Sequence, residues 1–246
     1  MFNKSRSFYL PVFFMWLASL PAMVLAQVED LSEKIWTSMG GQQHWENARY
    51  FMFTCQGPHD PVHQRPASYL WDRFTGDCRY EGTTADEREL IVLFNLNGLE
   101  GQVYIDDVIQ DDSVIIQKKI SKVRQGFKKD AELLFLPAIQ DGKNVQLSLE
   151  AERLVDASRQ LVAQVKNEGT VYDANAEGTL HIDAQTGRIT QWNPLNGVSY
   201  DVGGYKDIGG GLFLPTHFVA AGGGQQVVYS VAAALVHIEA RKFTQP

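Results

Sequence analysis

Asp111 to Pro137, DDSVIIQKKISKVRQGFKKDAELLFLP, is the only long helical pattern after Arg49, and it constrains the fold more than any other stretch. Ile116, Ile120, Val123 and Phe127 recur at i, i+4, i+7 and i+11, so they share one helix face. Asp112 or Ser113 can cap the start, because a short side-chain oxygen satisfies a free backbone N–H there. Pro137 is expected to end the pattern. The other face carries Lys118, Lys119, Lys122, Arg124, Lys128 and Lys129 with no acid between them. A helix with one apolar face, set among short strands, predicts a cover laid over a sheet.

The strand signals support that reading. Arg49 to Thr54 is rich in aromatic residues, and SYLWDR and CRYEGT flank a turn at Phe74-Thr75-Gly76-Asp77. ELIVLFNL is almost continuously apolar, which predicts a strand covered on both faces or lining an apolar cavity, and Asn97-Gly98 turns the chain back into QVYIDD. After the helix, NVQLSLEAER alternates cleanly, with Val145, Leu147, Leu149 and Ala151 on one side. Gln160 to Asn167 repeats the alternation, and Thr179 to Asp183 and Arg188 to Trp192 flank a turn at Ala184-Gln185-Thr186-Gly187. Strands near Leu212 to Val219 and Gln225 to Val236 complete a pattern of about ten or eleven strands with about three helices. The glycine runs at 203–204, 209–211 and 222–224 read as turns or bulges, since none follows the phosphate-loop pattern GxxxxGK[ST]. Val28 to Met39 reads as a short helix ended by Gly40-Gly41, and Gln42 to Ala48 as a second carrying Trp45.

The N-terminus points to export. Lys4 and Arg6 precede the apolar run Leu10 to Leu20, and Val24-Leu25-Ala26 supplies small residues, so residues 1–26 read as a signal peptide cleaved near Ala26. The apolar core is short and interrupted by Pro11 and Pro21, which disfavours a membrane anchor. Residues 27–246 are then expected to form one soluble domain, in the periplasm of a Gram-negative bacterium. Losing Lys4 and Arg6 takes the formal charge from −7 to −9, a balance that disfavours nucleic acid as a partner. In an oxidising compartment Cys55 and Cys78 are a candidate disulfide, contributing about 3 kcal/mol, provided that their strands are neighbours. The alternative is two inert buried thiols.

Catalytic signatures are sparse. There is no GxSxG, no HExxH and no EF-hand loop. His59 and His63 flank Asp60 in a loop whose prolines prevent a shared helical face, so no metal or other cofactor is expected. Asp106, Asp107, Asp111 and Asp112 could perform acid–base chemistry, but acids before a helix more often cap it. His181 and Asp183 share a strand face, which is common without function.

Five stretches carry a family resemblance: IWTSMGGQQHWENARYFMF, SYLWDRFTGDCRYEG, DAELLFLPAIQDGKNVQLSLE, LHIDAQTGRITQW and GGGLFLPTHF. Together they resemble secreted bacterial proteins of the outer-membrane lipoprotein-sorting (LolA/LolB-like) group. The resemblance implies an α+β, mostly β fold: a curved antiparallel half-barrel sheet with helices packed on its concave face. It also implies an apolar space between sheet and helices that holds acyl chains.

Joined to the residue patterns, this gives an expected carrier for a lipid or lipoprotein-like ligand rather than an enzyme. Tyr69, Trp71, Tyr80, Phe94, Tyr104, Ile116, Ile120, Phe127, Leu133 and Phe135 are its candidate lining residues. Lys118, Lys119 and Lys122 are candidate contacts for an anionic membrane surface. The competing readings are an envelope assembly module without a small ligand, and a hydrolase using Asp106 to Asp112 or His181. Oligomeric state is not set by the sequence.

Overall fold

The structure, a computed structural model, describes residues 30–57, 66–98, 100–141, 145–155, 157–167 and 176–246. The expected signal peptide, residues 1–26, and the segment with His59 and His63 lie outside the described residues. Helix α1 covers residues 30–38, α2 Gln42–Asn47 and α3 Ser113–Leu134. The first strands are β1 Tyr50–Gln56, β2 Ala67–Asp72, β3 Asp77–Thr83, β4 Glu89–Asn95, β5 Gly101–Ile105 and the short β6 Val108–Ile109. After α3 come β7 Val145–Val155, β8 Ser158–Asn167, β9 Ala176–Asp183, β10 Ile189–Pro194 and β11 Tyr200–Gly203. The chain ends with β12 Lys206–Gly209, β13 Leu212–Leu214, β14 His217–Ala220 and β15 Gln226–Leu235.

Among the described residues, thirteen strands form one open antiparallel sheet in the order β6-β5-β4-β3-β2-β1-β15-β14-β11-β10-β9-β8-β7, while β12 and β13 pair separately. The strands exceed the expected ten or eleven because β6, β11, β12 and β13 are only two to four residues long, some in glycine-rich sequence, too short to display a period.

The two edges, β6 and β7, are consecutive in sequence, and the segment that joins them contains α3. A flat sheet of this many strands would be roughly 58 Å wide, against about 33 Å for α3. The sheet is curved, and α3 lies in its concavity. Arg124, midway along α3, donates to the carbonyls of Asn95 at the end of β4 and Gly98 just after it. Phe127 reaches Phe53, Tyr69 and Trp71 on β1 and β2, and the 3-10 turn Leu136–Asp141 lies against β7.

The helix follows its sequence closely. Asp112 caps it, accepting from the N–H groups of Val114 at 2.9 Å and Ile115 at 3.1 Å. Ile120, Val123 and Phe127 are buried, Ile116 is half-buried, and Ala131, Leu133 and Leu134 extend the buried face. Pro137 does not end the helix. The α-helix stops at Leu134, and Pro137 sits in the first turn of the following 3-10 turn, where its missing N–H costs nothing.

Two hairpins use one turn. Asp72-Arg-Phe-Thr-Gly76 and Asp183-Ala-Gln-Thr-Gly187 share the pattern D-x-x-T-G. Each carboxylate accepts from the N–H groups two and three residues on, at 3.0 and 3.4 Å for Asp72 and at 3.2 and 2.7 Å for Asp183. Each closing glycine has positive φ, 83° at Gly76 and 71° at Gly187. Asp72 also holds Arg49 through both oxygens, at 2.8 to 3.1 Å. Arg73 donates to the carbonyls of Trp45, Glu46 and Ala48, closing the end of α2. The WDRFTG stretch thus works as scaffolding.

The β4 run is covered on both faces. Leu90, Val92 and Phe94 enter the main core, while Ile91 and Leu93 form a second buried cluster with Tyr104 on the other side. The 3-10 turn Ala240–Phe243 lies over β3 on that outer side, where Arg79 donates to the Lys242 and Gln245 carbonyls and Phe243 stacks on Tyr50.

Cys55 and Cys78 are both buried, and both are free. Strand β2 separates their strands, and the register places Cys55 opposite Ala67 but Cys78 opposite Trp71. That offset puts them far beyond the roughly 7 Å Cα separation a disulfide tolerates. The alternative of two buried thiols holds, and burial pushes the Cys55 thiol up, with nearby Asp130 adding to it.

Candidate functional site: a cleft beside the central helix

Beneath α3 the described side chains pack closely. Trp45, Phe51, Phe53, Tyr69, Trp71, Phe127 and Phe135 make a continuous network of ring contacts with centroids 5.0 to 5.8 Å apart. Tyr80 joins through Tyr69. Among the candidate lining residues, Tyr69, Trp71, Tyr80, Ile120, Phe127 and Phe135 belong to this core. Ile116 packs at its margin, and Tyr104 faces the opposite side of the sheet. Phe94 is core, and it also borders an outer cleft with Leu93 and Phe243.

Space opens on the other half of the sheet. A cleft of about 420 Å³ lies between the last turns of α3 and strands β10 and β11. Trp192 and Tyr200, both buried, and Leu133 of α3 form its apolar floor. Leu133 is the candidate lining residue that the structure brings to this cleft. The rim is polar: Lys129 and Glu132 on the helix side, with Asn196 and Gln225 on loops facing them. Half-exposed Val198 completes the entrance.

The helix positions its charges by spacing. Lys129 and Glu132 stand at i and i+3, on one side of α3, and Leu133 follows toward the sheet. Burial raises the Glu132 carboxyl above its ordinary value, because a low-polarity surrounding disfavours the charged form. The Tyr200 hydroxyl is raised by burial too, with Glu132 contributing.

Three of the acids near catalytic patterns bond the backbone. Asp112 is the helix cap, Asp106 accepts from the Glu89 N–H, and Asp183 also accepts from Ser158. Asp106 and Asp107 have positive φ, at 50° and 62°, which fits the tight turn between β5 and β6. His181 is partly buried, which lowers its pKa with help from Arg153. Among the described residues, no group of three His, Cys, Asp or Glu side chains is placed to hold a metal ion. Lys118 and Lys122 are exposed, whereas Lys119 is half-buried, and burial together with Lys122 and Arg88 lowers its pKa.

Sequence reasoning did not single out Trp192, Tyr200, Glu132 or Lys129 as site residues. One signal was present: Asp130 and Glu132 are acids inside the apolar helix end DAELLFL.

No protein-family model matches this chain, and no curated protein matches it. Solved structures do. A DUF1329 family protein from Desulfovibrio piger has a TM-score of 0.48 at 11% identity, covering 87% of this chain and 94% of that one. A LolA superfamily protein from Nitrosomonas europaea has a TM-score of 0.41 at 12% identity, covering 84% and 98%. The domain of an outer membrane lipoprotein-sorting protein from Vibrio parahaemolyticus has a TM-score of 0.37 at 7% identity, covering 82% and 93%. Among the described residues, no helix is long and apolar enough to cross a membrane.

Proposed function

We propose that the protein is a periplasmic binding module for a hydrophobic or acylated ligand, and that the cleft between α3 and strands β10 and β11 holds it. One observation carries this reading: an apolar floor of Trp192, Tyr200 and Leu133 under a charged rim, with a volume of about 420 Å³. Small-molecule sites run from about 300 to 1,000 Å³ and combine apolar walls with a few placed polar groups. Such a site takes a chain on its floor and a head group at its mouth. Its work is binding rather than turnover, since the acids nearest to catalytic patterns, Asp112 and Asp183, are engaged in capping and turn formation. The sequence resemblance to the lipoprotein-sorting group agrees with this reading. Lys118, Lys119 and Lys122 would set α3 on anionic head groups, each contributing up to about 1 kcal/mol near the surface.

A second reading is an envelope assembly module. Val108, Ile109, Val114 and Ile115 are exposed apolar residues where the sheet edge β6 runs into α3, a patch that another protein could cover.

Native mass spectrometry of the exported protein, with displacement of a dansyl-labelled fatty acid, tests the first reading. Copurified lipid or saturable probe binding, lost in Val198→Trp, is expected. A folded protein that carries no lipid and binds no probe would sink it in favour of the second.

A further inference from the structure

The rim of this cleft carries one positive and one negative side chain, and they do not satisfy each other. Lys129 and Glu132 form no ion pair together, and among the described residues neither has a salt-bridge or hydrogen-bond partner. Both border an apolar floor, and Glu132 is partly buried there. A half-buried carboxylate without a partner is costly unless something supplies the missing charge. A simple anionic amphiphile would place its charge against Glu132, and a simple cationic one against Lys129. A head group bearing both charges meets both side chains, with the amides of Asn196 and Gln225 across the mouth to bond its remaining oxygens.

We infer that the cleft selects a zwitterionic amphiphile of the ethanolamine-phosphate type, its primary ammonium on Glu132, its phosphate on Lys129 and its acyl chain over Trp192. This inference rests on the binding reading above and adds the head group to it. The raised pKa of Glu132 agrees with it, because a bound ammonium offsets the desolvation that disfavours the carboxylate.

The test is competition against a dansyl-labelled fatty acid on the exported chain, with four competitors: lysophosphatidylethanolamine, lysophosphatidylglycerol, palmitate and chain-free phosphoethanolamine. The ethanolamine lysolipid is expected to displace the probe at about tenfold lower concentration than the glycerol lysolipid or palmitate, the scale of one charge-assisted hydrogen bond. Chain-free phosphoethanolamine is expected to be ineffective, and its matching the lysolipid would reject an amphiphile in favour of a polar metabolite. Glu132→Gln should remove the preference for ethanolamine while palmitate binds as well or better. Lys129→Gln should weaken both phosphate-bearing lipids relative to palmitate. Equal displacement by all three chain-bearing competitors, or an ethanolamine preference untouched by Glu132→Gln, overturns the inference and leaves the binding reading standing. A probe that does not bind at all removes both.

Discussion

The Tyr69 hydroxyl donates to a carboxylate oxygen of Asp130 at 3.1 Å, inside the apolar core. The contact joins β2 to α3 across the concavity, and the Tyr229 hydroxyl donates to the Asp130 carbonyl from β15. Burial and the neighbouring carboxylate push the Tyr69 hydroxyl well above its usual range, so it stays protonated as the donor. Arg124 ties down the middle of the helix. Over this half of the sheet α3 is bonded to the strands beneath it, and a cleft opens beside its last turns.

Tyr69→Phe and Asp130→Ala are each expected to destabilise the protein by about 1–3 kcal/mol, because each removes a hydrogen bond between two buried groups. The double variant should lose less than the sum. Urea unfolding measures all three, and strictly additive losses would show that the two groups do not act as a pair.

Cys55 and Cys78 should both be free in the purified protein. Intact mass should not change on reduction, both thiols should alkylate only after denaturation, and reductant should leave the melting temperature unchanged. A mass lower by two hydrogens that reductant restores would contradict the register of β1, β2 and β3.

Acid should expose the Asp72 turn. Burial alone would raise this carboxyl, but hydrogen bonds from Arg49 and from the Phe74 and Thr75 N–H groups outweigh it and hold it below the ordinary 3.8. Its contribution is therefore complete above that value and is lost as pH falls through the lower folded-state value. Asp72→Asn should be less stable than the natural chain at neutral pH, with the gap closing as pH drops below about 3.8. A gap independent of pH would assign the loss to packing.

Much of this fold was legible because its signals are local. The face formed by Ile120, Val123 and Phe127, the alternation of β7 and the Gly76 and Gly187 turns each follow from period or backbone conformation. The identical D-x-x-T-G chemistry of the two hairpins was also on view in the sequence, and its function there is structural. The filled core was not legible. Alternation tells which way Tyr69, Trp71 and Phe135 point, but whether inward rings leave a gap depends on how side chains from distant strands sum in volume. They close together under α3 and leave room beside Trp192. The disulfide expectation failed for a related reason: strand order is a long-range property, and β2 lies between the two cysteines.

Glu132 is expected to have opposite effects on stability and on binding. Its folded-state pKa is raised by burial above the ordinary 4.5, so the penalty of its charge is absent below that value and grows as pH rises through the folded-state value. Glu132→Gln should make the ligand-free protein more stable at neutral pH and leave it unchanged well below 4.5. Thermal melts at both pH values measure this, and a variant less stable at neutral pH would show that the carboxylate has a structural partner.

In the proposed binding mode an acyl chain lies over Trp192. Bromine on a chain quenches indole fluorescence only at contact range, so a brominated fatty acid reports which tryptophan the chain touches. Saturable quenching of the natural protein is predicted, abolished in Trp192→Phe while Trp36, Trp45 and Trp71 keep their emission. Quenching that persists in Trp192→Phe, or none at all in a folded protein, would contradict the account.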